Sequence, residues 1–351
     1  MIKPPKHIQS LEPYSLSERD LFDKEYIKLD WNETHLPINN KLRDHLISQI
    51  REVKLNLYPK LINKELQIKL SNFTQVNSNC ISVFPGSDVG LEYICRSYLE
   101  KGDFAYSIGP TYDNFRIFVA STGANHDIIY PDTIENYSLK KQIAKIKGLP
   151  KIIYFTNPNN PTSYFTEELE LKECLDSHKD TLFICDEAYF EFSNVSMTNL
   201  IKKNDNIIFS RSFSKGLGLA GLRIGYLLSN PGILENINKI KNYKNLTSLS
   251  QSSAIFMLEN LDILEERLKD VEISRNIIID FLSKKNIVFF SGNTNFVLID
   301  TKKNPKLKDI ILKNRFIFRE FNTNFLQGYI RLTYPQSSLA TKFCKIIDEG
   351  L

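Results

Sequence analysis

Cysteine is scarce in this chain. Five cysteines occur in 351 residues, at positions 80, 95, 174, 185 and 344. They are odd in number and widely spaced, with no C-x-x-C. That pattern argues against a disulfide framework and fits reduced thiols in the cytoplasm. No H-E-x-x-H occurs either, so neither cysteine nor histidine spacing suggests a metal site, and none is expected. Long apolar runs are missing. The opening Met1-Ile-Lys-Pro-Pro-Lys has no apolar signal core, and no stretch approaches transmembrane length, which predicts a cytoplasmic protein without membrane contact. A dominant charge is missing too. Forty-five basic residues nearly balance 41 acidic ones, leaving +4, and no dense basic stripe stands out. Nucleic acid is therefore not an expected partner.

What remains is ordinary globular composition, 42% hydrophobic and 25% charged, in a chain long enough for a large core and a second, smaller unit. The central feature is Ser210-Arg-Ser-Phe-Ser-Lys215-Gly-Leu-Gly-Leu-Ala-Gly-Leu-Arg223. It follows the apolar run 206–210, which reads as a buried strand. Hydroxyls at Ser212 and Ser214 flank one lysine, three glycines follow, and an arginine closes the loop. Glycine admits close backbone approach, hydroxyls and arginine bind phosphate, and a lysine amine condenses with a carbonyl. Together they describe a pocket for a phosphorylated aldehyde, and pyridoxal phosphate is the candidate cofactor. Gly216, Gly218 and Gly221 also spell G-x-G-x-x-G. A dinucleotide fingerprint should follow its strand at once and open a βαβ unit. Here five residues intervene and the strand is a late one, which argues against a nicotinamide cofactor.

Strands alternate with helices through the middle of the chain. Strands are expected over 80–84, 104–108, 127–130, 151–156, 181–185, 206–209 and 222–228. Helices are expected over about 40–53, 62–73, 87–100, 112–121, 136–147 and 166–176. Such alternation predicts an α/β fold, with a mostly parallel seven-stranded sheet covered by helices. After Pro231-Gly232 come long helices, 233–244 and 251–283, then strands at 287–290, 296–299, 316–318 and 329–333. The expected organisation is an N-terminal arm over 1–35 joining a smaller α+β domain over 233–351, with a large cofactor-binding domain over 36–232.

Ligands of open α/β sheets bind beyond the carboxyl ends of strands, and the polar motifs fall there. Gly86-Ser87-Asp88 stands between strand and helix, where free N–H groups make an anion cradle or an ordinary helix cap. Asn157 directly follows a strand in the proline-stiffened Asn157-Pro-Asn-Asn-Pro161. Its amide could donate to a phenolate oxygen or simply cap a turn. Asp186 ends a buried strand and needs a cationic partner there, such as a pyridinium nitrogen. Tyr189 could donate to the ring hydroxyl, and Tyr112 could stack on the ring or fill a core. Arg331 lies in an apolar strand, where its planar fork suits a carboxylate or an internal ion pair.

With these motifs in view, the chain resembles the fold-type-I pyridoxal-phosphate aminotransferases, most of all the histidinol-phosphate aminotransferase family. The resemblance rests on 157–162, on Asp186-Glu-Ala-Tyr-Phe-Glu-Phe192, on Ser212-Phe-Ser-Lys215 and on Leu219-Ala-Gly-Leu-Arg223. Leu29-Asp-Trp-Asn-Glu33, Tyr58-Pro59 and 86–88 add to it. It implies that Lys215 carries the cofactor and moves the proton, and that Asp186 pairs the ring nitrogen. It implies Asn157 and Tyr189 on the ring oxygen, with Gly86, Ser87, Asp88, Ser212, Ser214 and Arg223 about the phosphate. Tyr58 would reach the neighbouring subunit's cofactor, so a homodimer with shared sites is expected. Arg331 would grip the substrate carboxylate, Tyr14 and Arg319 its distal phosphate, and Asn32 would line the substrate side. Ser163 departs from the family glycine, and Val89 from an acid. Transamination between an amino acid, glutamate foremost, and a keto or phosphorylated keto substrate is the leading expectation. A decarboxylase of an amino-acid O-phosphate and a non-catalytic binding module of the same fold are the alternatives.

Overall fold

The computed structural model describes residues 2–13, 26–321 and 323–351. Its main sheet has seven strands, β1 Ile81–Phe84, β2 Phe104–Ile108, β3 Asn125–Ile129, β4 Ile152–Thr156, β5 Leu182–Asp186, β6 Ile207–Ser212 and β7 Gly225–Ser229. Their order is β1-β7-β6-β5-β4-β2-β3. All pairings are parallel except those of β7, which runs antiparallel to both β1 and β6. The mostly parallel α/β architecture expected from the alternation is the one observed.

Strands buried on both faces explain the unbroken apolar runs. Ile153, Phe155, Phe183, Cys185, Ile207 and Phe209 enter one core layer. Ile152, Tyr154, Leu182, Ile184 and Ile208 enter the other. The period of two is therefore kept, but both faces are dry.

Register then places the chemistry. Thr156 pairs with Asp186 and Asp186 with Ser210, while Ser212 pairs with Gly225 and Gly225 with Phe84. The carboxyl ends of β1, β4, β5 and β6 and the start of the reversed β7 thus meet at one edge. Loops 85–87, 157–166, 187–189 and 213–224 all leave from it.

The C-terminal region forms a four-stranded sheet in which β8 Phe296–Asp300 and β9 Tyr329–Thr333 are the long strands, flanked by Phe289–Phe290 and Arg319–Glu320. Near the N-terminus, Ile27–Lys28 pairs parallel with Phe316–Ile317, and Leu29 is buried with Leu332, Phe316 and Phe343. Helix Ser248–Glu259 buries Ala254, Met257 and Leu258 together with Leu42, Leu66 and Leu70 from the helices at 40–52 and 64–74.

Some elements differ from expectation. The helix expected over 136–147 is a single turn, Leu139–Ile143, because Tyr137 and Ser138 are extended and the Ser138 hydroxyl caps the turn at Lys141 N. The long helix of 251–283 is two helices, Ser248–Glu259 and Leu261–Lys284. Asn260 breaks it, leaving helical geometry while its amide donates to the Phe256 carbonyl at 2.8 Å. Helices Lys306–Lys313 and Ser337–Gly350 complete the region.

Candidate active site

The loop after β6 carries Lys215. Its Nζ donates to the Trp31 carbonyl at 2.7 Å rather than to a carboxylate. Burial, then the nearby Arg331 charge, lowers its pKa to about 8, a value suited to an amine that must act uncharged. The glycines around it have packing reasons. A Cβ on Gly216 would lie 2.6 Å from the Glu191 Cβ, and Gly218, at φ +65, backs onto the Arg267 guanidinium.

Asp186 ends β5 and is buried. Its Oδ2 accepts from the Tyr154 hydroxyl at 2.8 Å and its Oδ1 from Ala188 N at 3.1 Å. Burial pushes its pKa up to about 7. A carboxylate in this position becomes stable only when a cation arrives.

Beside it lies an anion cradle. Helix Ser87–Tyr98 begins directly after Gly86, which has φ 90. An added Cβ on Gly86 would come 2.6 Å from Arg223 Nη2, and one on Gly225 would come 2.3 Å from Ser87 N. Only glycine lets β7 and the guanidinium approach this helix start so closely. Arg223 itself is left-handed, φ 48. It reaches Ser214 Oγ at 3.5 Å and Asp88 Oδ2 at 3.3 Å, and Ser214 N donates to Ser212 Oγ at 3.0 Å. Tyr112 donates to the other Asp88 oxygen at 3.0 Å. Gly86, Ser87, Asp88, Tyr112, Ser212, Ser214 and Arg223 are thus brought together.

Across the site, Tyr189 accepts from Asn32 Nδ2 at 2.8 Å and meets Phe296 edge-on at 5.1 Å. Asn32, left-handed and buried, is pinned by Thr333 Oγ1 at 3.0 Å and by Asn295 donating to its carbonyl at 2.9 Å. Arg331 donates to Asn160 Oδ1 at 2.6 Å and to the Asp30 carbonyl. Arg319 pairs directly with Arg331 across the antiparallel strands, which sends both guanidinium groups to one face.

Three further placements matter. The Asn157 carboxamide is taken up at both ends by the Thr166 main chain, at 2.8 and 3.2 Å. The amide that meets Arg331 is Asn160, three residues on in the same loop. Tyr58 stands away from these groups, exposed, with Lys244 Nζ 4.6 Å above its ring. Tyr14 lies outside the described residues. Sequence reasoning missed Asn160, Tyr154 and the Trp31 carbonyl. Asn160 was visible as a second amide in the motif, whereas Tyr154 reads only as one more residue of an apolar strand.

Ser163, where the resemblance expects glycine, has φ 62. That explains the glycine preference, and here the serine hydroxyl shares a 2.7 Å hydrogen bond with Thr294.

Comparison with known proteins agrees with this geometry. Residues 24–347 match the family model for aminotransferase class I and II. The chain belongs to that family. It is 31% identical to a dihydroxyacetone phosphate transaminase of Campylobacter jejuni, over 90% of this chain and 89% of that protein. It is 29% identical to a histidinol-phosphate aminotransferase of Pyrococcus furiosus, over 99% of this chain and 97% of that protein. Its fold is that of the histidinol-phosphate aminotransferase of Sinorhizobium meliloti, solved in complex with pyridoxal-5'-phosphate. The TM-score is 0.85 at 23% identity, covering 99% and 98% of the two chains. The protein is a pyridoxal-phosphate-dependent aminotransferase, and the residues present fit the cofactor. Asp186 lacks only a cation, the helix start at Ser87 presents its N–H beside Arg223, and among the described residues Lys215 has no carboxylate partner to displace. Among the described residues no helix is long and apolar enough to cross a membrane.

Proposed function

We propose that this aminotransferase takes the amino group of glutamate and delivers it to a small ketone that carries a phosphate ester. The observation that carries the reading is the pair Arg319 and Arg331. Their shared face offers two cations to the anions of a substrate, a carboxylate in the glutamate half-reaction and a phosphate in the other. The names of both relatives contain a phosphorylated compound, which supports the same reading.

When bound, pyridoxal phosphate supplies the electron sink for loosening the bond between Cα and its hydrogen. The chain does the rest. Lys215 Nζ would hold the cofactor aldehyde and, once released from it, would be the group that takes up and gives back the Cα proton. Asp186 would keep the proton on the ring nitrogen. Tyr189 and Asn160 would serve the ring oxygen, with Asn157 bracing the loop from behind, and Tyr112 would cover the ring. Ser87 N, Ser212, Ser214 and Arg223 would hold the cofactor phosphate at a helix start, where the dipole favours an anion. Arg331 grips the carboxylate with a fork braced by Asn160. Arg319 would select the distal group; Asn32, and Tyr14 on the resemblance alone, are assigned to the substrate side.

The test is a half-reaction screen on the lysine-bound holoprotein. Glutamate is expected to bleach its visible absorbance. Dihydroxyacetone phosphate is then expected to restore it far better than dihydroxyacetone does. Equal recovery with the unphosphorylated ketone would overturn the phosphate assignment. Carbon dioxide release from threonine O-phosphate would favour decarboxylation instead.

A shared-site homodimer is part of the proposal. Leu55, Leu57, Tyr58, Leu61 and Ile62 are all exposed in one short segment, more apolar surface than a lone chain usually leaves wet. Sedimentation equilibrium is expected to give twice the chain mass of 40.6 kDa, and Leu57→Asp is expected to give the single mass with little activity. A fully active monomer would contradict shared sites.

A further inference from the structure

Asp186 has a partner of its own that the reaction above does not use. Tyr154 sits on β4 and Asp186 on the adjacent β5. Thr156 is the residue in register with Asp186, so Tyr154 lies diagonally beside it on the same face of the sheet. Tyr154 is fully buried. Its ring is stacked on Phe115, centroids 4.1 Å apart and planes 9° from parallel. That stack fixes the ring, and the fixed ring aims the hydroxyl at Asp186 Oδ2, 2.8 Å away. Burial holds the phenol well above its ordinary pKa, so it remains a hydrogen-bond donor at any working pH.

The carboxylate is otherwise poorly supported. The groups that bear on it are Ala188 N at 3.1 Å on its own segment, the Asp88 charge from the helix starting at Ser87, and the adjacent Glu187. The two acids oppose its charge, as does burial. Tyr154 is the largest favourable influence.

We infer that Tyr154 is a positioning residue that keeps the Asp186 side chain ionised and aimed at the cofactor's ring nitrogen. The inference rests on the proposal that Asp186 faces that nitrogen. Without the hydroxyl, Asp186 would more often hold its own proton and would rotate more freely. The ring nitrogen would then be protonated less of the time and the cofactor held less tightly.

The test is Tyr154→Phe, which keeps the ring stacked on Phe115 and removes one oxygen. Three readouts are compared with wild type. Pyridoxal phosphate affinity is measured by equilibrium dialysis, and thermal stability of the cofactor-free protein is followed across pH. Steady-state kcat and KM complete the set. Losing a hydrogen bond to a charged group is expected to weaken cofactor binding about tenfold or more. kcat is expected to fall with little change in donor KM. In the cofactor-free protein a carboxyl whose folded pKa lies above its unfolded one lowers stability as pH rises between the two values. Tyr154→Phe is expected to carry that decline to higher pH, and Asp186→Asn to abolish it.

On an Asp186→Asn background, Tyr154→Phe is expected to change cofactor affinity less than twofold. Unchanged affinity and an unchanged pH profile in the single variant would overturn the inference. So would equal effects with and without Asp186, or failure of both the single and double variants to fold, because each makes the tyrosine a packing residue. Failure of the single variant rescued by Asp186→Asn would support it. If wild type itself bound no pyridoxal phosphate, the proposed function would fail, while the pH profiles would still report on the Tyr154–Asp186 pair.

Discussion

Lys215→Ala is expected to fold, to stay colourless when mixed with pyridoxal phosphate, and to lose transamination by about ten-thousand-fold or more, since nucleophile and proton carrier go together. Lys215 lies in a half-buried loop, donates to a main-chain carbonyl, and among the described residues has no salt bridge to break before it reacts. Its pKa of about 8 means that each pH unit below that value leaves roughly a tenth as much free amine. Capture of the cofactor aldehyde by the cofactor-free protein is therefore expected to slow about tenfold per unit below pH 8 and to level off above it. Linkage adds a second signature. The folded lysine titrates near 8 and the unfolded one near 10.5, so between these values the unfolded chain holds more protons and stability rises with pH. Lys215→Met should flatten that rise. Wild-type colour and wild-type turnover in the alanine variant would end the assignment, and an unchanged stability profile in the methionine variant would end the pKa argument alone.

Much of this is legible in the amino-acid sequence, for physical reasons that differ by element. The strands declared themselves because most are apolar runs closed by glycine, proline or asparagine, and the alternation with helices left little choice but a covered sheet. The reversal of β7 was not legible. It depends on Gly225 passing within reach of Ser87 N, a contact between residues 138 positions apart in the chain. Asn260 could not be read as a break, because asparagine is tolerated inside helices and only its bond to the Phe256 carbonyl ends this one.

The site divides in the same way. Asp186, Lys215 and Arg223 stand out because a charge at the end of an apolar strand, or inside a glycine loop, conflicts with its local surroundings. Asn160 and Tyr154 conflict with nothing nearby. Which of the loop amides turns to Arg331 is decided by a strand 171 residues away, and a tyrosine in a dry strand looks like packing until its hydroxyl finds an acid. Local disagreement shows in a sequence; a long-range partner that satisfies a polar group does not.

Arg331→Lys is the second large effect expected. Arginine here is held flat by three neighbours, Asn160 Oδ1 at 2.6 Å, the Asp30 carbonyl, and the Phe296 ring 5.5 Å below its Cζ. Lysine keeps the charge but offers one point where the fork offers two parallel N–H groups. A bond to a buried charge lost in this way is worth about 2–3 kcal/mol, or roughly a hundredfold in kcat/KM for glutamate at about 1.4 kcal/mol per decade. The loss should fall mainly on KM, with cofactor affinity and absorbance nearly unchanged, because Arg331 is assigned to substrate and not to the phosphate cradle. Arg319→Lys gives the matching control. It should leave the glutamate half-reaction within about threefold and penalise the phosphorylated acceptor instead. Since the two arginines are strand partners on one face and both variants keep the charge, a difference in which half-reaction suffers would point to which anion each one holds. Loss of both half-reactions in both variants would mean that the pair acts as one site, and the division of carboxylate from phosphate would be wrong.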